Sequence, residues 1–185
     1  GISTTLIKTD YNNRVDECKV AAWILQELGD LEVSAFRDVR LRDIPREVYE
    51  ANAERLPGRF RRRADHFFGE LSRVEAGVEA WTRGDIEAFG RQVFASGESS
   101  IAKYESGCPE LITIYETLAE STGVYGARFS GAGYRGACIG LVDPRYRDEV
   151  AARIHEVYPK KHPEFADVYQ VFFSRTADGA EVIEL

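Results

Sequence analysis

The chain has 185 residues, 44% of them hydrophobic and 30% charged. These values are typical of a globular domain and exclude a disordered tail, a fibre or a collagen-like chain. Lysine and arginine number 24 against 31 aspartates and glutamates, so the formal net charge is −7. Because negative charge repels phosphate backbones and anionic lipids, we expect neither a nucleic-acid nor a membrane partner.

Cysteine and histidine usage adds a second constraint. Cys18, Cys108 and Cys138 are odd in number and widely separated, with no C-x-x-C pair. This spacing indicates free thiols buried in a reducing, cytoplasmic compartment. The histidines do not stand at metal-ligand spacing from these cysteines, so no metal site is predicted. The chain contains no methionine, and we therefore expect it to be a piece of a longer protein.

Hydrophobic periodicity predicts mostly helices up to Gly123. Residues 2–7 alternate weakly and predict a strand, after which apolar spacings of three and four predict a helix over 11–28 and a shorter one over 43–56. The strongest pattern is an apolar stripe from Phe60 to Trp81, on a helix that Gly84 ends. Asp85 is a candidate cap for the next helix, and Pro109 suits the first turn of another.

Short strands are predicted after Gly123. Residues 124–129 and 138–142 form two predicted strands, a helix follows from Pro144 to about Tyr158, and further strands are expected at 168–173 and 181–183. The economical arrangement is a single α+β domain over 1–185, with helices packed on one face of a small antiparallel sheet.

The segment from Gly126 to Cys138 contains the residues that are most informative about function. Glycines at 131, 133 and 136 allow positive φ and can present successive N–H groups to an anion or to another loop. A tight turn or bulge would use the same residues, so both interpretations stay open.

A second segment, Ser96-Gly-Glu-Ser-Ser100, looks superficially like a phosphate loop. It lies within a helical pattern and lacks the G-K-S/T sequence of a true phosphate loop. We therefore interpret Gly90 and Gly97 as points of close helix packing.

The segment 126–138 resembles the third sequence motif of the GHMP kinases, specifically of galactokinase-like proteins. That motif usually runs G-A-R-M-T-G-G-G-F-G-G-C, and six residues match it: Gly126, Ala127, Arg128, Gly131, Gly133 and Gly136. Positions 129, 130, 132, 134 and 135 differ, and Ala137 stands where the family cysteine usually lies. The variant F-S-G-A-G-Y-R-G, together with S-G-E-S-S-I, is similar to the galacturonokinase branch known from plants.

The resemblance extends over nearly the whole chain. The sequence from Asp10 to Cys18 resembles the S-x-Y-N-x-R-R-x-E-C helix start of galactokinases, and Arg63-Ala-Asp-His66 matches a family R-x-x-H. The resemblance implies the C-terminal domain of a GHMP kinase, with a ferredoxin-like sheet. The family's ATP loop and catalytic aspartate belong to an N-terminal domain that is absent from this chain, so the resemblance implies no catalytic residue and no metal ligand here.

Residue roles follow from the resemblance position by position. Tyr11 matches a tyrosine that contacts the sugar, although a half-buried tyrosine at a helix start is the alternative. The other implied substrate-binding residues are Ser130, Gly131, Ala132, Gly133 and Arg135. Arg135 could instead face solvent or an acidic residue of the N-terminal domain. Arg128 and Gly136 are implied to support the loop structurally.

The function implied is ATP-dependent phosphorylation of the anomeric hydroxyl of galactose or galacturonate, with ATP and Mg²⁺. The expected partners are the sugar, ATP and the chain's own N-terminal domain. A non-catalytic, galactokinase-like regulator that binds sugar and ATP is the main alternative.

An RNA-binding ferredoxin-like domain is a further alternative, because residues 134–142 faintly resemble an RNA-binding strand and 59–63 are rich in arginine. The absence of aromatics that would stack on bases, and the acidic charge, disfavour it.

Overall fold

The computed structural model describes residues 9–176 and residue 179. Within these residues it contains six α-helices and two strands, which we number in chain order. The helices are α1 (Tyr11–Leu28), α2 (Arg46–Asn52), α3 (Gly58–Thr82), α4 (Ile86–Ala102), α5 (Pro109–Ala119) and α6 (Arg147–Lys161). The strands are β1 (Val124–Ser130) and β2 (Ala137–Val142).

Local sequence signals account for several helix boundaries. Asp85 caps α4 by accepting a hydrogen bond from the backbone N–H of Ala88 at 2.9 Å. Gly84 adopts φ +70° just after α3, and Pro109 occupies the first turn of α5, where its missing N–H costs nothing. These boundaries agree with the predictions from the sequence.

The helices pack against a small antiparallel sheet, as predicted. β1 and β2 pair from Val124 opposite Val142 to Ser130 opposite Ala137, with an irregularity next to Val124. α4 and α5 contact β1, α3 packs on α4, α1 packs on α3, and α6 packs on α5. One buried cluster joins α1, α3 and residues 39–56, and another joins α5, α6 and β1.

Two glycines of α4 allow its close approach to β1. A Cβ atom at Gly90 would collide with the backbone carbonyl of Tyr125. At Gly97 it would lie 2.5 Å from the Tyr115 ring and 2.9 Å from the carbonyl oxygen of Ala127. Ser96, Ser99 and Ser100 are buried in the same helix. The interpretation of this segment as helix packing is therefore confirmed.

Three predictions about elements need correction. The predicted helix over 43–56 is divided, because Pro45 cannot continue a helical hydrogen-bond pattern; α2 lies between 3₁₀ turns at Leu41–Asp43 and Ala53–Arg55. The helix predicted to open at Pro144 starts with a 3₁₀ turn, Pro144–Tyr146, and extends as α6 to Lys161.

The predicted strand at 168–173 is not a strand. The N–H groups of Val168 and Tyr169 both donate to the carbonyl of Phe165, at 3.1 Å and 3.3 Å, so the start of this segment is bonded locally. The strands predicted at 2–7 and 181–183 lie outside the described residues.

The apolar stripe of α3 is only half buried. Phe60, Ala64 and Phe67 pack in the cluster with α1. Farther along the helix, Val74 and Trp81 are 62% and 56% exposed. The periodicity thus predicted the helix correctly, but only its first half is core.

Candidate functional site

The turn between β1 and β2, residues 131–136, is built on three glycines with positive φ. Gly131, Gly133 and Gly136 have φ of +91°, +79° and +104°, values that residues with a side chain rarely adopt. Around Gly131 and Gly136 the space is open, whereas a Cβ at Gly133 would lie 2.9 Å from the Phe129 ring. We call residues 131–136 the glycine turn.

A second loop holds the glycine turn in place. Residues 103–108, which we call the support loop, connect α4 to α5. The N–H of Cys108 donates to the carbonyl of Gly133 at 2.9 Å, and the N–H of Ser106 donates to the carbonyl of Ser100 at 3.0 Å. The support loop is therefore bonded to α4 on one side and to the glycine turn on the other.

Tyr134 of the glycine turn lies near the start of α1. Its hydroxyl oxygen is buried without a hydrogen-bond partner, and burial raises the pKa of this phenol. Among charged groups, Arg14 lowers and Asp10 raises the pKa of Tyr134 most, and both lie at the beginning of α1. Tyr11, which opens α1, and Tyr134 both act on the neighbouring Tyr104, whose pKa is raised mainly by burial. Tyr11 and the glycine turn thus have Tyr104 as a common neighbour.

Arg128, on β1, contacts Glu70 of α3. Its Nη1 lies 3.6 Å from Oε2 of Glu70, and the same Glu70 oxygen accepts a hydrogen bond from Ser96 at 2.8 Å. Burial opposes ionisation of Glu70, but hydrogen bonds from Ser96 and Arg73 outweigh it and lower the pKa of the carboxyl. These contacts tie the strand before the glycine turn to the body of the helices.

His66, one helical turn before Glu70, is a neutral neighbour of this network. Its Nδ1 lies 2.9 Å from the hydroxyl of Ser99, and burial lowers its pKa to about 4.

Arg135 lies beside Phe165 and Glu110. Its guanidinium lies 6.0 Å from the centre of the Phe165 ring, and its charge helps to lower the pKa of Glu110 against the effect of burial. Ser130, Gly131 and Gly136 are exposed and Ala132 is half buried. The turn therefore offers its backbone, the Ser130 hydroxyl and Arg135 to the surroundings.

A cavity of about 530 Å³ lies beside Arg135 and Gly136. Its walls come from α5, β2, α6 and residues 168–174, and most of the side chains are apolar. Of the predicted substrate-binding residues only Arg135 lines it, so this cavity is separate from the Tyr11 region.

The three cysteines are free thiols. Burial raises the pKa of Cys18 to about 11 and that of Cys138 to about 12, so both are protonated and unreactive at neutral pH.

Neither a metal cluster nor a membrane-spanning helix is found in the described part of the chain. Across residues 9–176 and 179 no His, Cys, Asp and Glu side chains gather in threes as a metal site would require. Over the same residues, no helix combines the length and the apolar character needed to cross a membrane.

Sequence reasoning missed two features of the site. The sequence showed only that Tyr134 differs from the family motif, and it did not indicate that its hydroxyl is buried. Glu105 in the support loop was not identified. The signal for the loop was present in Gly107 and Pro109, which mark a break after α4. No local signal marks Glu105 itself.

Comparison with known proteins places the chain in a family. The model of the GHMP kinases C terminal region matches residues 77–160. A galacturonokinase from Arabidopsis thaliana is 43% identical over 94% of this chain and 41% of its own length. A galactokinase from Canis lupus familiaris is 34% identical over 77% of this chain and 35% of its own length. The chain thus spans about two fifths of these curated relatives.

A solved structure agrees with these relatives. Lactococcus lactis galactokinase complexed with galactose matches with a TM-score of 0.74 and 27% identity, over 88% of this chain and 40% of that one. The family model, the relatives and this fold all indicate the same group of proteins. The chain therefore belongs to the GHMP kinases, in the galactokinase-like group, and corresponds to the C-terminal domain of that family.

Proposed function

We propose that this chain is the C-terminal domain of an ATP-dependent sugar-1-kinase that phosphorylates the anomeric hydroxyl of galacturonate or galactose. The observation that carries the proposal is the glycine turn bonded to the support loop, which Arg14 of α1 also contacts, in a chain 43% identical to a galacturonokinase. Phosphoryl transfer depends mainly on positioning and on stabilising charge, and both are tasks that a rigid turn and its backbone N–H groups can perform.

Each part of the site has a proposed task. Tyr11 contacts the sugar, and the segment from Ser130 to Gly133 lies beside the sugar and the transferring phosphoryl group. The open space around Gly131 supports this role, because a ligand can approach the backbone there. Arg128 and Gly136 support the turn, and the contact from Arg128 to Glu70 is consistent with such a role.

The remaining parts are proposed to come from an N-terminal domain, which would carry the ATP loop and the catalytic aspartate. ATP is the phosphoryl donor. Mg²⁺ in kinases is usually bound by one or two carboxylates together with substrate phosphates. We assign no step of this chain to the metal, whose ligands would include the phosphates of ATP. The free thiols support a reducing, cytoplasmic location.

The choice of sugar is tested by comparing kcat/KM for galacturonate and galactose, in the kinase that contains this chain. We expect galacturonate to be preferred by roughly 10- to 150-fold, the scale of one charge-assisted pair with a carboxylate. Preference for galactose would refute the uronate assignment. Sugar binding without turnover would indicate a sugar-binding regulator instead of a kinase. The absence of both binding and turnover would refute the proposal as a whole.

The variant Arg135→Gly tests whether this arginine provides the preference for galacturonate over galactose. Arg135 already lies near Glu110 and Phe165, so it must leave these neighbours to reach a substrate carboxylate. If it does so, the ratio of the two kcat/KM values falls toward one in the variant. An unchanged ratio would remove Arg135 from the substrate-binding residues while leaving the sugar assignment intact.

A further inference from the structure

Glu105, in the middle of the support loop, has an unusual backbone. Its φ is +55°, and among the described residues the other non-glycine residue with positive φ is Asp30. A glutamate in this region is strained and persists only where the surroundings impose the conformation. At Glu105 the surroundings are three arginines from two helices.

The three arginines contact both carboxylate oxygens and the backbone carbonyl of Glu105. Arg62 lies 2.9 Å from Oε1, and Arg63 donates to Oε2 at 2.5 Å, both from α3. Arg14 of α1 donates to the backbone carbonyl at 3.4 Å. Arg14 also lies 3.9 Å from Oε2, so contacts to both the side chain and the carbonyl hold the strained backbone.

Arg63 connects this loop to α1. Its side chain is completely buried, and it donates through Nε to Glu17 of α1 at 2.7 Å and through Nη1 to the carbonyl of Lys103 at 2.5 Å. One guanidinium therefore joins three elements: α3, which carries it, α1, which begins with Tyr11, and the support loop. A buried charge of this kind is strongly destabilising if a partner is removed.

The support loop, fixed by these arginines, is itself hydrogen-bonded to the glycine turn. Cys108 follows Glu105 by three residues, and its N–H donates to the carbonyl of Gly133 at 2.9 Å. The backbone nitrogen of Gly107 lies 3.2 Å from where a Cβ of Gly133 would be. There is consequently little room for the turn to move unless the support loop moves with it.

We propose that Arg63 and Glu105 are a positioning pair that fixes the separation between Tyr11 and the glycine turn, and thereby the affinity for the sugar. Neither residue touches substrate in this mechanism. The proposal rests on the proposed kinase function, because it assigns sugar contact to Tyr11 and the turn. A displacement of about 1 Å in a positioning element is sufficient to change kinetics strongly.

The test uses Glu105→Gln in the full-length kinase, which keeps the side-chain shape and removes the charge. The matched control is Glu54→Gln. Glu54 accepts two 2.5 Å hydrogen bonds from Arg61 of α3, and its side chain is 81% exposed. We expect the KM for sugar to rise about tenfold in Glu105→Gln, the scale of one charge-assisted hydrogen bond. The KM for ATP should change less than twofold, and the control should leave both constants unchanged.

A second measurement does not depend on activity. Hydrogen exchange of the same variants should show faster exchange in residues 103–108 and 131–136 for Glu105→Gln, and no change there for Glu54→Gln. An unchanged sugar KM in an active enzyme, or an equal rise of both KM values, would overturn the positioning role. If the wild-type enzyme phosphorylates no sugar, the proposed function fails instead. Unaltered exchange at 131–136 would still refute the coupling in that case.

Discussion

Gly133→Ala is the sharpest test of how the glycine turn is held. An alanine at this position must adopt φ +79°, and its Cβ must fit 2.9 Å from Phe129 Cδ2, 3.2 Å from the backbone nitrogen of Gly107 and 3.3 Å from the hydroxyl of Ser106. Phe129 is 3% exposed and the Gly107 atom is backbone, so neither can move aside easily. Gly131→Ala is the matched control, since its φ is +91° but nothing lies within 4 Å.

Both substitutions lower the stability of the fold through the left-handed backbone, and Gly133→Ala also overpacks the site. The left-handed backbone costs an alanine about 1–2 kcal/mol at either position. Overpacking at Gly133 adds about 1–3 kcal/mol, the usual range for an extra methyl group in a closely packed site. We therefore expect Gly133→Ala to lower the free energy of unfolding by about 1–3 kcal/mol more than Gly131→Ala.

Urea unfolding of the purified chain and its two variants measures this difference. With a typical slope of about 2 kcal/mol per molar urea, the midpoint of Gly133→Ala should lie roughly 1 M below that of Gly131→Ala. The slopes should agree, because the surface exposed on unfolding is the same. Coincident midpoints would show that the glycine turn is not pressed against the support loop, and would remove the basis for its rigid placement.

Two further predictions concern His66 and Tyr11. Because the pKa of His66 is about 4 when folded and about 6.5 when unfolded, acidification from pH 7 to pH 5 protonates the unfolded state first and destabilises the fold. This loss should be about 1–2 kcal/mol greater in the wild type than in His66→Gln by urea unfolding, and equal losses would contradict the burial of the ring. In the full-length kinase, Tyr11→Phe should raise the KM for sugar roughly 2- to 13-fold, the value of one hydroxyl hydrogen bond, and that for ATP less; an unchanged sugar KM would assign Tyr11 to a structural role.

The helices could be predicted because their signals are local. Spacing of apolar residues, a capping aspartate at 85 and the proline at 109 act within a few residues of the boundary they determine. Gly90 and Gly97 were also correctly interpreted, since small residues within a helical pattern allow close packing.

The segment 168–173 shows where local signals fail. Its valines and aromatics favour a strand, but strand formation requires a partner for the backbone. Here the first N–H groups are used by the carbonyl of Phe165. The exposed half of the α3 stripe illustrates the same limit, because periodicity predicts a face and not what covers it.

The candidate site depended still more on long-range contacts. The sequence indicated the glycine turn and Tyr11 through a family resemblance, but not that Tyr134 lies near Asp10 and Arg14. The backbone of Glu105 is imposed by arginines 42 to 91 positions earlier in the chain. No pattern within the support loop could have shown this.

The charges around the candidate site favour positioning over proton transfer as its proposed role. A general base for neutral pH usually has a raised pKa, yet Glu70, Glu105 and Glu110 all have lowered values. The hydrogen bond from Arg63 is the main cause at Glu105, whereas at Glu70 and Glu110 hydrogen bonds outweigh the opposing effect of burial. Glu70 and Glu105, which pair with arginines, hold these in place, and carboxylates with a lowered pKa accept protons poorly. We therefore expect the base that activates the sugar hydroxyl to lie in the proposed N-terminal domain, facing a turn that these carboxylates keep rigid.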